Sequence, residues 1–333
     1  MQLQQRCGED PVAYARLHSL WPLGADDVPD IELFKRGVSV LPSAGGSTAA
    51  AAASSSAAAA AASVHVPPSA DQASVLQAVR YNSYGENDEH GSVIGLWALP
   101  AFVNHSCSPN AARTFLGGAM VVRASKPIAK GGEVSYIYVD VSDPVDVRQS
   151  KTAKWKFVCD CRRCEVELAS SGLCASLQAK ASAMHGKGIQ VSRIIPVMGA
   201  VAGKELRELP PDAEKGLPRV TVDEQVMWLQ NCLLGWYNAS TSPSDAGNAF
   251  FDDVLATNAL GSSIMWATNS CCSMHADTCR QMLPICSQLR GVSSDETKRM
   301  QANCALVYRG RYGLDIKWQK GEAFPDFSSW DMA

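Results

Sequence analysis

Three cysteines crowd into one short stretch of this 333-residue chain, Phe157-Val158-Cys159-Asp160-Cys161-Arg162-Arg163-Cys164-Glu165. A Cys-x-Cys-x-x-Cys spacing lets three thiolates wrap one ion. Zinc prefers thiolate sulfur at about 2.3 Å and takes four ligands in a structural site. The fourth must come from elsewhere, and Cys107, in the segment Asn104-His105-Ser106-Cys107, is the best candidate. The bland alternative is a chance cluster of buried, unligated thiols. The N-terminal residues carry no apolar signal core. Clustered thiols are therefore expected in a reducing compartment, as metal ligands rather than disulfides. Of the 12 cysteines, Cys232, Cys271, Cys272, Cys279, Cys286 and Cys304 fall in helical-looking segments as small apolar residues, and Cys7 and Cys174 carry no assignment.

Two further segments could do chemistry. Phe102-Val103-Asn104-His105-Ser106-Cys107-Ser108-Pro109-Asn110 is dense in Asn, Ser and Pro and reads as a tight polar loop, neither helix nor strand. Gly131-Gly132-Glu133-Val134-Ser135-Tyr136-Ile137-Tyr138-Val139-Asp140 follows it and precedes the cysteines. Taken singly, Tyr138 is a strand aromatic, His105 a satisfied loop histidine and Phe157 a core ring. In this order, however, the three segments resemble NHSCxPN, GEE-(V/L)-T-x-x-Y and the post-SET CxCxxC of SET-domain protein lysine methyltransferases, in particular the SET–MYND-like group. The resemblance covers about residues 90–166. The helical C-terminal half is similar in kind to the tetratricopeptide-like tail of that group.

The resemblance implies S-adenosylmethionine as methyl donor and a protein lysine side chain as acceptor. Asn104 and His105 match residues that hold the cofactor, Asn104 near its amino-acid end and His105 through backbone contact to the adenine. Phe157 matches an aromatic ring against the adenine, and Tyr138 matches the active-site tyrosine, catalytic and cofactor-facing. Cys107 matches the fourth ligand of a structural zinc, beside Cys159, Cys161 and Cys164. Tyr136 stands where the family tunes how many methyl groups fit. A tyrosine there favours mono-methylation, with a plain strand-face aromatic an equal alternative. Sequence departures accompany the match. No GxG strand turn precedes residue 95, and Cys7 is the only cysteine before Cys107, so no MYND finger is expected. A truncated gene model or a lost first half of the SET fold would each account for this.

These residues need elements to position them. The pattern predicts a short helix over Val12–Leu20, a solvated low-complexity insert at 43–63, a helix over Asp71–Arg80, and a Gly/Asn/Asp-rich loop from Asn82 to Gly91. Short β-like runs are expected at 119–123 and 134–139, joined by a Pro127–Gly132 turn. Helices follow over Leu168–His185, Ala246–Leu260 and Ser270–Leu289, with Gly199–Pro218 as a linker. Thr221 and Glu224 form a capping box before Val226, Leu229, Leu233 and Trp236. Ser293 and Glu296 cap a last helix with Met300, Cys304 and Val307 on one face, and the tail after Trp318 is irregular.

The fold class is therefore α+β. A partial SET-type β fold with a zinc-bound post-SET end (1–166, core motifs 93–140, zinc motif 157–164) precedes an all-α domain (167–333). The balance of 30 basic against 33 acidic residues argues against direct nucleic-acid binding. The basic cluster Lys151, Lys154, Lys156, Arg162 and Arg163 reads as a solvated rim of the zinc loop. No run approaches the roughly 18 apolar residues of a membrane span. The expected function is S-adenosylmethionine-dependent protein-lysine N-methylation in the nucleus or cytoplasm. The alternative is a non-catalytic, SET-derived interaction module.

Overall fold

A computed structural model describes residues 16–17, 20, 72–88, 91–116, 118–212, 219–240, 249–268 and 270–313. The low-complexity insert, Cys7, the tail after Trp318 and most of the Val12–Leu20 segment lie outside the described residues. The chain forms two compact units, one ending at Val103 and one beginning at Asn104.

In the first unit, helix α1 (Gln72–Asn82) precedes an antiparallel hairpin of β1 (Ser83–Asp88) and β2 (Gly91–Leu96), paired from Ser83↔Leu96 to Asp88↔Gly91. The hairpin replaces the loop expected at 82–91. Low strand propensity in a Gly/Asn/Asp stretch is outweighed by the ladder and by packing at its base. There, Tyr84 is buried and its hydroxyl donates to the Pro100 carbonyl at 2.7 Å. Val75 and Ala78 of α1 form a small core with Leu17 and Leu20, against Leu96 and Phe102.

The second unit begins with a two-residue strand, β3 (Asn104–His105), paired in parallel with β6 (Ser135–Tyr136). Between them lies an antiparallel hairpin of β4 (Ala111–Leu116) and β5 (Ala119–Ala124). The expected strand at 134–139 is thus ladder-bonded only at Ser135–Tyr136, while the turn before it forms as read, with Gly131 at φ +82° and Gly132 N–H bonded to Ala129 C=O. Helices follow: α2 (Val145–Thr152), α3 (Arg162–Ala169), α4 (Ser171–His185), α5 (Val191–Glu205), α6 (Val222–Leu229), α7 (Asn231–Ser240), α8 (Ala249–Ala267), α9 (Ser273–Arg290) and α10 (Asp295–Tyr312).

Helix α5 runs seven residues into the expected linker, to Glu205, because Met198 and Ala202 continue its buried face. Gly199 lets α5 approach α6: a Cβ there would lie 2.5 Å from Gln230 Nε2. The Thr221/Glu224 capping box is present in full. It opens two helices rather than one, broken at Gln230, with Trp228, Leu229 and Leu233 buried alike. These residues share a core with Leu177, Ala181, Ile194, Leu260 and Ile264.

The α9–α10 pair builds a second core of Cys279, Leu283, Met300, Cys304 and Val307, closed by Ala112 of β4. Arg311 Nη1 donates to the Arg113 carbonyl at 2.7 Å, tying α10 to the same strand. Two details differ from expectation. The cap of α10 is Ser294, which accepts from the Thr297 N–H at 3.1 Å, leaving Asp295 and Glu296 in the first turn where carboxylates favour the helix dipole. Cys271 and Cys272 precede α9 rather than lie in it: Cys271 sits at φ +41° and the Cys272 sulfur caps the helix by accepting from His275 N–H.

Candidate functional site

The polar loop at 104–110 docks on β6 through main-chain bonds. Ser106 N–H donates to Tyr136 C=O at 3.1 Å and Asn110 N–H to Ser135 C=O at 3.2 Å. The Asn110 side chain closes the junction, donating to the Glu133 carbonyl at 2.7 Å and accepting from Ser135 N–H at 2.9 Å. This double contact suits an Asn at the loop end, whose carboxamide carries a donor and an acceptor on separate atoms.

The loop carries Cys107 beneath the segment bearing the other thiols. The sulfurs of Cys107, Cys159, Cys161 and Cys164 all lie within 4.8 Å of one another, with Cys107–Cys159 at 3.9 Å and Cys107–Cys164 at 3.6 Å. A tetrahedron with Zn–S near 2.3 Å has sulfur edges of roughly 3.8 Å, whereas a disulfide would need about 2.05 Å. The quartet therefore fits one zinc and no disulfide. Hydrogen bonds from Cys107 and Cys161 hold the Cys159 thiol far below its ordinary range, while those to Cys159 and Cys161 push Cys107 up. A divalent cation removes that conflict by taking all four as thiolates.

A buried charge network encloses the sulfurs, and the residue pattern gave no hint of it. Arg148 of α2 is fully buried. Its Nε donates to Cys107 Sγ at 3.2 Å, one Nη to the Asp143 carbonyl at 2.5 Å, and the other to Glu167 Oε2 at 2.7 Å. Burial alone would lower the Arg148 pKa, but Glu167 and Cys107 outweigh it and raise it. Glu167 also accepts from Arg163 Nε at 2.5 Å, and Arg163 reaches the Val141 carbonyl at 2.8 Å. Arg163 is thus no solvated rim residue: it is fully buried, and its charge is matched one turn away by Glu167. Four thiolates around a divalent ion carry net negative charge, which these guanidinium groups face.

His105 links the thiols to the aromatic residues. Its Nδ1 accepts from the Tyr138 N–H at 2.9 Å, which places the ring proton on Nε2, 3.2 Å from Cys107 Sγ. Around it, ring centroids of His105 and Tyr138 lie 5.4 Å apart, His105 and Phe157 5.9 Å, and Tyr138 and Phe157 6.3 Å edge to face. Trp155 joins them, 5.2 Å from Tyr138, with Lys154 Nζ 4.3 Å from its ring centroid. The sequence reading missed Trp155, which ends a 3-10 turn (Ala153–Trp155) and is followed by Lys156 at φ +60°; its spacing of two before Phe157 was the available signal.

Tyr138, Phe157, Trp155 and His105 are half-buried, so the cluster keeps an open side. Tyr136 is 1% exposed with the Arg113 guanidinium 5.2 Å over its ring, the environment of a core aromatic. Asn104 is exposed at the edge, its side chain donating to Glu133 Oε1 at 2.6 Å. All eight sequence-predicted residues thus fall in one neighbourhood around the β3–β6 pair.

Comparisons with known proteins reach residues 104–139 of this neighbourhood. Residues 39–139 match the SET domain family model. That segment of the chain is similar to a SET domain. The chain is 35% identical over 104 residues to the N-lysine methyltransferase SMYD2 of Gallus gallus, covering 30% of this chain and 24% of that protein. It is 32% identical over 107 residues to the histone-lysine N-methyltransferase SMYD3 of Mus musculus, covering 31% and 24%. It is 40% identical over 72 residues to the histone-lysine N-methyltransferase ASHR1 of Arabidopsis thaliana, covering 21% and 15%. The chain spans about a quarter of the length of the first of these relatives. No helix among the described residues is long and apolar enough to cross a membrane.

Proposed function

We propose that this protein transfers a methyl group from S-adenosylmethionine to a lysine side chain of a protein substrate, at the open side of the Tyr138–His105–Phe157 cluster. The observation that carries this reading is the double role of His105, whose two ring nitrogens bond the Tyr138 main chain and the Cys107 thiol. A zinc on Cys107, Cys159, Cys161 and Cys164 would fix the loop bearing Asn104 and His105 against the arm bearing Trp155 and Phe157. Its role is structural, because all four positions are filled by thiolates and none remains for substrate.

S-adenosylmethionine supplies an electrophilic methyl on a sulfonium and a flat adenine. Half-buried aromatic faces suit both, the cation by its attraction to ring faces and the adenine by stacking. Phe157 would flank the adenine, and His105 and Asn104 would hold the cofactor's polar parts. Asn104 keeps its carbonyl oxygen free to accept, since Nδ2 is engaged by Glu133. Tyr138 would orient the amine with its hydroxyl. An aromatic wall also desolvates the incoming ammonium, lowering its pKa toward the neutral, nucleophilic form. Alignment of donor and acceptor contributes up to ~7–11 kcal/mol in well-oriented systems.

The SET-like part (1–166) and the helical part (167–333) have separate tasks in this reading, chemistry and partner binding. The described cysteines are all free thiols, which supports a reducing compartment, nucleus or cytoplasm. The test is transfer of labelled methyl from S-adenosylmethionine to a lysine-rich protein by the zinc-loaded chain, with Tyr138→Phe and Phe157→Ala beside it. Transfer that Tyr138→Phe reduces by two or more decades supports the proposal. Transfer unchanged in both variants contradicts it.

A further inference from the structure

Beyond the zinc quartet, the helical half brings two further pairs of thiols together. Cys279 of α9 and Cys304 of α10 hydrogen-bond each other and are both fully buried. Cys174 of α4 and Cys232 of α7 also hydrogen-bond each other, but both are only half-buried. Both line one cleft of about 540 Å³ between α2, α3, α4 and the α6–α7 junction. Cys272 is half-buried as well, yet its sulfur is engaged in capping α9. Access therefore separates two similar dithiols, one open to a cleft and one sealed in a core. Packing as small apolar residues accounts for the sealed pair.

The register of α4 against α7 holds the open pair in place. Gln178, one turn after Cys174, donates from Nε2 to the Cys232 carbonyl at 2.9 Å. Trp236, one turn after Cys232, donates from Nε1 to Ser182 Oγ at 2.7 Å. Residues 174, 178 and 182 share one face of α4, as 232 and 236 share one of α7. Along that seam Cys232 Sγ lies 4.0 Å from the Cys174 carbonyl oxygen. A disulfide needs about 2.05 Å between sulfurs, a closure that side-chain rotation supplies to thiols already in contact. The two thiols are unequal. Hydrogen bonding from Cys232 holds Cys174 below its ordinary range, and the same contact pushes Cys232 up. The thiolate is the nucleophile, so Cys174 attacks first. Glu167, on the same lining, would oppose a thiolate, but Arg148 and Arg163 neutralise it at 2.7 and 2.5 Å.

We propose that Cys174 and Cys232 are a modification site, a dithiol that a hydroperoxide oxidises to a disulfide across the α4–α7 seam. The Cys174 thiolate attacks one peroxide oxygen and the O–O bond breaks. The released hydroxide takes up the Cys174 proton and leaves as water, with a sulfenic acid on Cys174. The Cys232 sulfur then attacks that sulfenic sulfur and the S–O bond breaks. The hydroxyl leaves as a second water with the Cys232 proton. Two thiols and one peroxide thus give one disulfide and two waters, the sulfurs oxidised and the peroxide oxygens reduced. The bond links residues 58 apart in sequence and is of the reversible kind that redox-sensing proteins use in reducing compartments. It does not depend on methyl transfer.

The experiment treats the zinc-loaded full chain with hydrogen peroxide, alkylates the remaining thiols and maps the peptides by mass spectrometry, with and without dithiothreitol. The expected product is a Cys174–Cys232 linked peptide that dithiothreitol releases, formed about tenfold faster than any Cys279–Cys304 link. In Cys232→Ser the sulfenic acid has no thiol to resolve it, so Cys174 should take up dimedone. In Cys174→Ser, Cys232 should not. Three results overturn the proposal: no Cys174–Cys232 link at a peroxide concentration that oxidises other thiols of the chain, a link that forms only in denaturant, or a sealed pair that oxidises as fast as the open one.

Discussion

Replacing Arg148 by methionine should loosen the thiol quartet as well as the fold. The side chain has no exposed surface, so methionine fills nearly the same volume and the change is chiefly one of charge and hydrogen bonding. Four contacts vanish: to Cys107 Sγ, to Cys164 Sγ, to the Asp143 carbonyl and to Glu167. Breaking a buried ion pair from one side costs about 3–5 kcal/mol. Glu167 keeps Arg163 at 2.5 Å, so the lower end, about 3 kcal/mol, applies. The Cys107 thiolate loses its only guanidinium donor among the described side chains, and loss of an outer-shell partner reduces metal affinity about 10- to 100-fold. Competition against a chromogenic chelator measures the second effect and the urea midpoint measures the first. Arg148→Lys should recover only part of either, because an ammonium cannot reach four partners in a plane. Zinc affinity within twofold of the parent, with an unchanged urea midpoint, would refute the reasoning that the guanidinium balances the sulfurs.

Other outcomes are equally specific. Cys161→Ser should abolish stoichiometric zinc binding, read by elemental analysis after gel filtration, because a three-thiolate site leaves one position open. Asn110→Ala removes both side-chain bonds to Glu133 and Ser135 while keeping the main-chain one, and should cost about 1–3 kcal/mol in urea unfolding while speeding amide exchange at Ser135. Thr221→Ala should cost about 1 kcal/mol and lower the Tm, since it deletes the hydroxyl that accepts from Glu224 N–H. Ile264→Ala, at a fully buried core position, should cost about 2–5 kcal/mol with no change in zinc content.

The site was legible in sequence wherever residue type and order carry the chemistry. Thiols at Cys-x-Cys-x-x-Cys spacing suit a metal, and coordination number alone asked for a fourth sulfur, which Cys107 brings within 4.8 Å of the other three. Helices with caps were legible for a similar reason, since Thr221 and Glu224 bond locally and need no distant partner. The cap of α10 was misplaced by one residue because Ser293 and Ser294 both precede carboxylates, and only the Thr297 N–H chooses between them.

What escaped depends on distant partners. Arg148 and Glu167 look like surface charges until α2 and α3 fold around the sulfurs. Strand β4 reads as Ala-Ala-Arg-Thr-Phe-Leu, with no alternation, and becomes a strand through its pairing with β5 and its cover by α10. The Gly117-Gly118 pair between Leu116 and Ala119 was the hairpin signal there. The β1–β2 hairpin was missed because Gly, Asn and Asp mark turns more often than strands. Within the aromatic cluster, Trp155 gained its place only from the arm that carries Phe157 back over Tyr138.

The most direct measurement is a calorimetric titration of the zinc-loaded chain with S-adenosylmethionine, repeated after zinc has been stripped by a chelator. One-site binding to the loaded protein, lost on stripping and weakened in Phe157→Ala, is the predicted result. No heat of binding to a folded, zinc-loaded chain, or binding indifferent to zinc and to Phe157, would contradict the claim that the zinc-fixed aromatic cluster is a cofactor site.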